Sequence, residues 1–475
     1  MKAVRGSTAL YICAGLLVAG TVLQLLLGSI PAGLMAMPSG AILAAVYVYL
    51  LIGLFIMRDR LGAFAFFTDR AVCISSMASA LAVVIIFGLT RQDPARGGLV
   101  GALGFSDMRH SWIFVLVMFY FMTSTGLAAM ESFTHLKWSK LPSLLGHLCL
   151  FVIMICSFFG GGDRRSFRFT AVKDTPVMAE DMPFALVLRE GHLEDYPPMN
   201  YVSQVDVMQR GGLERHSVSV NHPIKKGRWY IYQSGFEGED NSVSVLQAER
   251  DRWWPISAVA LWGLLLGGIA MMFIAPFRRR ETSPAAGEAA AQTTGRSAKA
   301  GRIALIVFAA AYVVFISLNF IVPNFFNKHR VAALHSPWFT PHIVAYMAAY
   351  SIVGVALIYA IYLWIKHGGD NIPDRNMRTV DILTRVGWGL VTMGMTMGAL
   401  WAKAAWGDWW AWDPKETWAL ATFLGYLLYL HIRRLYPKEK FWALCSLVFA
   451  FLLLQMCWYG VNYLPAAQGA SIHMY

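Results

Sequence analysis

The sequence predicts an all-α polytopic membrane protein of about eleven transmembrane helices, with one small β-rich extracytoplasmic domain. Its 475 residues are 57% hydrophobic and only 14% charged, whereas soluble domains average roughly 45–50% apolar and about 25% charged residues. Long apolar runs recur along the chain and are interrupted by one large polar stretch. The basic residues concentrate in loops that lie on one side of the membrane when the runs are threaded through it, as the positive-inside rule requires.

Eleven apolar runs are long enough to cross a bilayer, which takes about 20 residues. They lie at 8–28, 40–57, 71–90, 111–131, 142–160, 254–276, 302–322, 342–365, 382–402, 415–432 and 441–461. With a cytoplasmic N-terminus, the basic loops at 58–70, 135–141, 277–302, 366–378 and 433–440 face the cytoplasm, and one basic loop, 91–110, is external. The net charge of +12 is explained by this topology, so no nucleic-acid partner is predicted.

The chain is predicted to have five parts. Residues 1–160 form a membrane segment of five spans, 161–253 the extracytoplasmic domain, 254–280 the sixth span, 281–300 a cytoplasmic linker, and 301–475 a membrane domain of five spans. In the polar stretch, the runs Ser217–Val220 and Arg228–Tyr232 are typical of strands, and Gly211-Gly212 and Lys226-Gly227 indicate turns. The small-residue composition of 281–300 indicates a flexible connection.

The six cysteines all fall in apolar runs. The polar stretch therefore has no disulfide framework. The sequence also contains no C-x-x-C-H and no C-x-x-C motif. The chain is thus predicted to carry no c-type haem of its own and no redox dithiol.

Six tryptophans lie within eighteen positions of the predicted external face: Trp401, Trp406, Trp409, Trp410, Trp412 and Trp418. Asp413, Pro414 and Glu416 have the order of an N-cap, a first-turn proline and a capping-box acid, so they start the tenth span. The tryptophans themselves allow two interpretations. They form either an aromatic belt at the membrane interface or an external platform for a flat apolar ligand.

Two histidines lie inside predicted spans, where ionisable residues are rare and usually functional. His147 is near the cytoplasmic end of the fifth span, and His431 is at the cytoplasmic end of the tenth. With a rise of about 1.5 Å per residue, the two lie within about one helical turn of the same depth. Two facing imidazoles are axial ligands for haem iron. The alternative for His431 is an interfacial residue beside two arginines.

A second pair of histidines is predicted on the external side, next to the tryptophans. His342 lies in the first turn of the eighth span, and His473 lies in the C-terminal tail. Each has a simpler interpretation, since His342 also suits a polar helix start and chain ends are often unstructured. His329 and His335 compete as external ligands, and His110 is a weaker rival. Lys403 and Lys415 are candidates to meet the carboxylates of a bound haem.

Several stretches of the sequence resemble motifs of a known family. The stretch "WGDWWAWDPKETWAL" (Trp406–Leu420) resembles the WWD signature of haem-handling proteins of cytochrome c maturation, and "LHSPWFTPH" (Leu334–His342) and "YLHIRR" (Tyr429–Arg434) are similar to its CcsA (ResC) branch. This resemblance covers about 305–475. The segment "GHLCLFVIMICSFFGGGD" (Gly146–Asp163) is similar, more loosely, to CcsB (ResB). The whole resembles a fused CcsBA-type System II cytochrome c synthase.

The resemblance implies a function and a set of residues. Haem b would be bound by His147 and His431 within the membrane, then passed outward to a site under the WWD segment with His342 and His473 as axial ligands. The site would include the WWD residues Trp401, Trp406, Trp409, Trp410, Trp412 and Asp413. Thioether bonds would form between the haem vinyls and the thiols of an apocytochrome c that presents C-x-x-C-H. The ending "SIHMY" departs from the usual family ending.

The same resemblance implies surroundings and partners. Residues 1–160 would be the CcsB/ResB-like part and 301–475 the CcsA/ResC-like part, in the lipid of a bacterial cytoplasmic (inner) membrane with the WWD segment on the external, periplasmic side. A thioredoxin-like reductant would keep the apocytochrome thiols reduced. No catalytic residue is predicted. Two other functions stay open: haem export or delivery without attachment, and a membrane electron-transfer subunit that keeps two b-type haems.

Overall fold

The computed structural model describes residues 6–134, 136–179, 181–194, 200–209, 212–237, 242–273 and 332–467, with isolated positions between 310 and 321. The predicted linker at 281–300, nearly all of the predicted seventh span, His329 and His473 lie outside the described residues.

Within these ranges the chain forms twelve α-helices. They are α1 Gly6–Leu27, α2 Ser39–Ile56, α3 Gly62–Phe67, α4 Arg70–Leu89, α5 Gly98–Ala102, α6 Trp112–Thr134, α7 Leu141–Gly160, α8 Trp254–Phe273, α9 Phe339–His367, α10 Asp374–Trp406, α11 Pro414–Leu435 and α12 Lys440–Trp458. Every predicted span that falls in the described ranges coincides with one long helix. Eight of them, α1, α2, α4, α6, α7, α8, α9 and α12, are long and apolar enough to cross a membrane. The prediction of a polytopic helical membrane protein is confirmed.

Helices α10 and α11 correspond to predicted spans but are not among those eight, because they are less apolar along their length. The charged residues of α10 are Asp374, Arg375, Arg378, Asp381, Arg385 and Lys403. Helix α10 packs against α8, α9 and α11, and α11 packs against α4 and α12. The middle of α10, including Leu390 and Val391, is fully buried. A helix surrounded by protein can keep polar groups that a lipid-facing helix cannot.

The polar stretch folds as two four-stranded antiparallel sheets. The strands are β1 Arg165–Val172, β2 Pro176–Val177, β3 Ala185–Glu194, β4 Asn200–Gln209, β5 Gly212–Ser219, β6 Ile224–Lys226, β7 Trp229–Glu237 and β8 Val243–Arg250. The strand orders are β1-β8-β7-β6 and β2-β3-β4-β5. The apolar side chains of both sheets, such as Leu188 and Ile231, meet in one buried core. The predicted β-rich domain is confirmed, and the predicted turn at Gly227 has the left-handed φ of 61°.

The sheet domain is joined to the membrane helices at one end only. Strand β1 begins at Arg165, close after α7, and β8 ends at Arg250, close before α8. These two residues are register partners, so both connections leave the same end of the sheet. Helices α7 and α8 pack along each other. The domain therefore sits on the ends of a helix pair. It also touches the segment before α9, where the Asn221 amide donates to the Ala332 carbonyl at 3.0 Å.

Candidate functional site

The structure brings the two membrane histidines together. His147 on α7 and His431 on α11 have ring centres 6.0 Å apart and ring planes at 85°. The His147 Nδ1 lies 2.6 Å from the Ser143 carbonyl, and the His431 Nδ1 lies 2.9 Å from the Leu427 carbonyl. A carbonyl only accepts, so each Nδ1 carries the proton and each Nε2 has a lone pair for a metal.

The two rings are close enough for both to hold one metal. Two imidazoles that share a metal, each through a bond of about 2.0–2.1 Å, have ring centres about 6 Å apart. The observed 6.0 Å separation agrees with that requirement. The hydrogen bond from each Nδ1 to its own helix also fixes the ring orientation, as in metal-ligating histidines generally.

A buried ion pair next to His431 is a feature that sequence reasoning missed. The Arg433 guanidinium donates from Nε to Asp381 Oδ1 at 3.0 Å and from Nη2 to Oδ2 at 3.2 Å. The Tyr429 hydroxyl donates to the same Oδ1 at 2.8 Å. This fork joins α11 to α10 within one turn of His431. The only signal in the sequence was Asp381, close to the start of the predicted ninth span. Arg433 was assigned to the basic loop at 433–440.

His342, which is predicted to be external, packs against α10. Its Nδ1 lies 2.7 Å from the Gly394 carbonyl, which again places the proton on Nδ1. The imidazole lies against Gly398, where an added Cβ would come within 2.8 Å of the ring. The ring centre of His342 is 5.1 Å from that of Tyr346 and 6.0 Å from that of Trp401. The proposed partner, His473, lies outside the described residues.

The other histidines that are predicted to be external have different surroundings. His110 has its Nδ1 2.7 Å from an Asp107 carboxylate oxygen. His335 lies just after the short 3₁₀ turn Ala332–Leu334 and before α9. Trp401 and His342 are neighbours, with ring centres 6.0 Å apart.

The WWD segment links α10 to α11 by a tightly defined loop. Helix α10 ends at Trp406 and is followed by Gly407 with a φ of 87°. Helix α11 begins with the predicted capping box: Asp413 accepts from the Lys415 amide, and Glu416 accepts from the Asp413 amide. The capping prediction is confirmed. Trp412 has a φ of 59°, which is rare for a bulky residue and indicates that its neighbours hold it there.

The tryptophans attach this segment to several helices. Trp401 packs on Phe339 and Trp406 with ring centres 4.9 and 5.1 Å away, and Trp409 is buried between α8 and α10. Trp412 stacks on Phe87 of α4 at 5.0 Å. Trp401, Trp409 and Trp418 are buried, and Trp406, Trp410 and Trp412 are half-buried. The half-buried three retain surface for a ligand, and the buried three hold the loop in place.

A buried charge cluster joins the WWD segment to the sheet domain. Glu249 of β8 is 0% exposed and Lys403 of α10 is 5% exposed. The Glu249 Oε1 lies 2.9 Å from Arg164 Nε and 3.4 Å from Lys403 Nζ. Arg164 also pairs with Asp408. Burial raises the pKa of Glu249 to about 7 although both cations oppose that change.

The Lys403 ammonium makes a hydrogen bond and two aromatic contacts within the protein. Its Nζ donates to the Gly407 carbonyl at 2.7 Å and lies 5.4 Å from the Tyr230 ring centre and 5.2 Å from that of Trp254. These contacts engage the ammonium within the protein. The prediction that Lys403 meets a haem carboxylate does not agree with this arrangement, because the side chain is buried against the sheet domain.

The sequence matches two families in separate regions. Residues 289–467 match the family described as "Cytochrome C assembly protein", and residues 137–257 match the "ResB-like family". The first region contains His342, the WWD segment and His431. The second contains His147 and the sheet domain.

Several curated relatives match part of the chain. It is similar to "Cytochrome c biogenesis protein CcsA" of Chlamydomonas reinhardtii, with 34% identity over 153 residues, covering 30% of this chain and 42% of the relative. The proteins of the same description from Prochlorococcus marinus (strain MIT 9312) and Guillardia theta are both 33% identical, over 186 and 174 residues. These matches cover 31% and 30% of this chain and 57% and 56% of the relatives.

The chain spans about half the length of these curated relatives. The family matches show a ResB-like part and a cytochrome c assembly part in one polypeptide. This combination is the arrangement that the sequence resemblance predicted. The ResB-like match, the cytochrome c assembly match and the CcsA relatives together support a fused CcsBA-type System II protein of cytochrome c biogenesis.

Proposed function

We propose that this protein moves haem from the cytoplasmic side of a bacterial inner membrane to an external site and attaches it to the C-x-x-C-H thiols of apocytochrome c. It would thus act as a holocytochrome c synthase. The observation that carries the proposal is the pair of facing imidazoles, His147 and His431, whose ring centres are 6.0 Å apart.

The inner pair is suited to receive haem as a cargo. Both rings lie in helices near the predicted cytoplasmic face, and each donates its Nδ1 proton to its own helix. The two imidazoles come from different parts of the chain, since α7 lies in the ResB-like match and α11 in the cytochrome c assembly match. A haem held here would therefore need both parts to be assembled.

The outer site would be built by His342 and the half-buried tryptophans of the WWD segment, with His473 as the second ligand by resemblance. The Gly394 carbonyl orients the His342 ring, and Trp401 and Tyr346 support it. Haem supplies the vinyl groups and the iron. The protein's contribution is to ligate, orient and shield it.

Attachment itself needs positioning more than side-chain chemistry. Each thiol S–H bond breaks, sulfur bonds to the inner vinyl carbon, and the outer carbon gains a hydrogen to become a methyl group. Atoms and electrons balance with no net oxidation. Holding thiol and vinyl in a fixed orientation is the main source of rate. The apocytochrome must arrive reduced, which implies a thioredoxin-like partner.

The visible spectrum of the purified protein tests haem binding. We expect a low-spin, bis-histidine haem spectrum in the wild type. His147→Ala and His431→Ala should lose or weaken the inner haem, and His342→Ala should affect only the outer one. His367→Ala, at the cytoplasmic end of α9, is the matched control. Unchanged haem in both inner-site variants would refute the assignment of the pair.

Attachment is tested by expressing the chain in a host without its own maturation machinery, together with a C-x-x-C-H reporter. We expect covalent haem on the reporter. Bound haem in the protein with no covalent haem on the reporter would favour export or delivery alone. Haem that neither leaves nor exchanges from either site would favour a b-type electron-transfer subunit.

A further inference from the structure

A basic cavity lies at the membrane-facing end of the sheet domain. Its volume is about 400 Å³, and it opens between the ends of the two sheets. The charged residues that line it are Lys226, Arg228, Arg250 and Arg252, and Gln209 and the buried Trp229 complete the polar and aromatic lining. No described lining residue is acidic. Four cations around one small cavity favour an anionic ligand.

The four cations are not equally compensated. Lys226 pairs with Glu214 at 2.7 Å, and Arg252 pairs with Asp163 at 3.3 Å. Among the described residues, Arg228 and Arg250 make no ion pair. Within the described part of the chain, the cavity thus retains about two positive charges without an ion-paired carboxylate.

Two guanidinium groups are also arranged as in a preformed site. Arg250 lies over the Trp229 ring, 5.1 Å from its centre, which limits its movement. Within the described structure, the buried Nε atoms of Arg250 and Arg252 have no hydrogen-bond partner. A buried guanidinium donor without an acceptor is costly. An anion whose oxygens accept from these groups would remove that cost.

The position of the cavity indicates where such an anion comes from. Arg252 precedes the start of α8 at Trp254 by two residues, a reach of at most about 7 Å. Helix α8 has 20 residues, or about 30 Å, which matches the hydrocarbon thickness of a bilayer. Its first residue therefore lies at the hydrocarbon boundary. The Arg252 side of the cavity would then be at the depth of the lipid headgroups, which form a layer of roughly 5–7 Å on each side.

We propose that this cavity binds the phosphate of an anionic phospholipid headgroup and thereby docks the sheet domain on the membrane surface. Arg228 and Arg250 would supply the charge, and the guanidinium forks of Arg250 and Arg252 would contact the phosphate oxygens. A volume of about 400 Å³ is at the lower end of ordinary small-ligand sites, so it suits a headgroup better than a peptide. The proposal does not depend on haem chemistry.

The experiment compares lipid retention in the full-length protein. Protein reconstituted with equal phosphatidylglycerol and phosphatidylcholine is extracted gently, and the bound lipids are quantified by native mass spectrometry. We expect the wild type to retain phosphatidylglycerol selectively. The double variant Arg228→Gln/Arg250→Gln should lose roughly 30-fold in that selectivity, since each basic residue near a membrane contributes about fivefold. Lys225→Gln, an exposed lysine of the same hairpin that does not line the cavity, is the control and should behave as wild type.

Two further arms make the result decisive. Arg228→Gln alone changes an exposed side chain, so it should reduce selectivity even if the Arg250 change disturbs the Trp229 packing. Inorganic phosphate at millimolar concentration should not displace the lipid. Full displacement by phosphate would overturn the lipid assignment in favour of a soluble anion, and retention of an acidic peptide in place of lipid would overturn it in favour of a protein partner. Equal selectivity in wild type and both variants would overturn the site altogether.

Discussion

Replacing Lys403 with methionine should loosen the WWD segment from the sheet domain. The change removes the ammonium that donates to the Gly407 carbonyl at 2.7 Å and lies 3.4 Å from Glu249 Oε1. Methionine keeps most of the apolar stem against Tyr230 and Trp254. The perturbation is therefore confined to the charge and its hydrogen bonds.

The cost can be worked from these contacts. A hydrogen bond from a charged donor contributes about 1.5–3 kcal/mol. Leaving a buried partner uncompensated usually adds more, but the pKa of Glu249 is already raised by burial to about 7. Loss of Lys403 would raise that pKa further, so at neutral pH the carboxyl takes a proton instead of staying charged. We expect a net cost of about 2 kcal/mol, which is roughly a 30-fold increase in the opening of the segment.

Hydrogen exchange of the protein in detergent measures that opening. The amides of Ala411 and Asp413, which donate to Glu416, should exchange about 30-fold faster in Lys403→Met. Lys366→Met, an exposed lysine near the end of α9, should leave them unchanged. The double variant Lys403→Met/Glu249→Gln should recover part of the loss. If Lys403→Met exchanges like wild type, or the double variant is worse than the single, the cluster does not hold the segment.

The same cluster predicts a pH dependence. Because the pKa of Glu249 is about 7 in the folded protein and 4.5 in its ordinary state, the folded form binds the proton more tightly. The stability from this group is greatest below pH 4.5 and is lost as the pH rises through 7. Opening should therefore be about tenfold easier at pH 8 than at pH 6. Glu249→Gln should remove most of that difference, and an equal dependence in both proteins would contradict it.

Three further substitutions test separate contacts. Gly407→Ala places a Cβ at a φ of 87° and against the side chains of Glu249 and Tyr232. It should therefore cost more, in the same exchange assay, than the roughly 1–2 kcal/mol of backbone strain alone, whereas Gly33→Ala, with open space around it, should not. Asp381→Asn weakens the buried fork to Arg433. It should lower the free energy of unfolding by about 3 kcal/mol and should also reduce haem binding at the inner pair. Loss of stability with the inner haem unchanged would show that the fork does not position that site. Trp412→Ala should lose about 2 kcal/mol because a half-buried aromatic ring leaves its packing, while Trp412→Phe should lose less.

Local patterns determined the membrane architecture from the sequence alone. Twenty-residue apolar runs and the basic loops between them are properties of short stretches, so each predicted span in the described ranges is a helix. The Asp413–Glu416 capping box was equally predictable, because its partners are three residues apart. The similar depth of His147 and His431 also followed from their places in their spans.

The tertiary structure decided which groups meet. Helices α7 and α11 place the His147 and His431 rings next to each other, and α10 carries Asp381, which pairs with Arg433. The sequence does not distinguish among the tryptophans. In the structure they pack on different helices, so some are buried and others are half-buried.

The charge cluster could not be predicted from the sequence for the same reason. A glutamate in a strand and a lysine near a helix end are ordinarily solvated, and Glu249 and Lys403 are 154 residues apart. Only the docking of the sheet domain on α10 buries them together. The strength of a charge depends on how far water is excluded from it, which the fold sets and a local pattern does not.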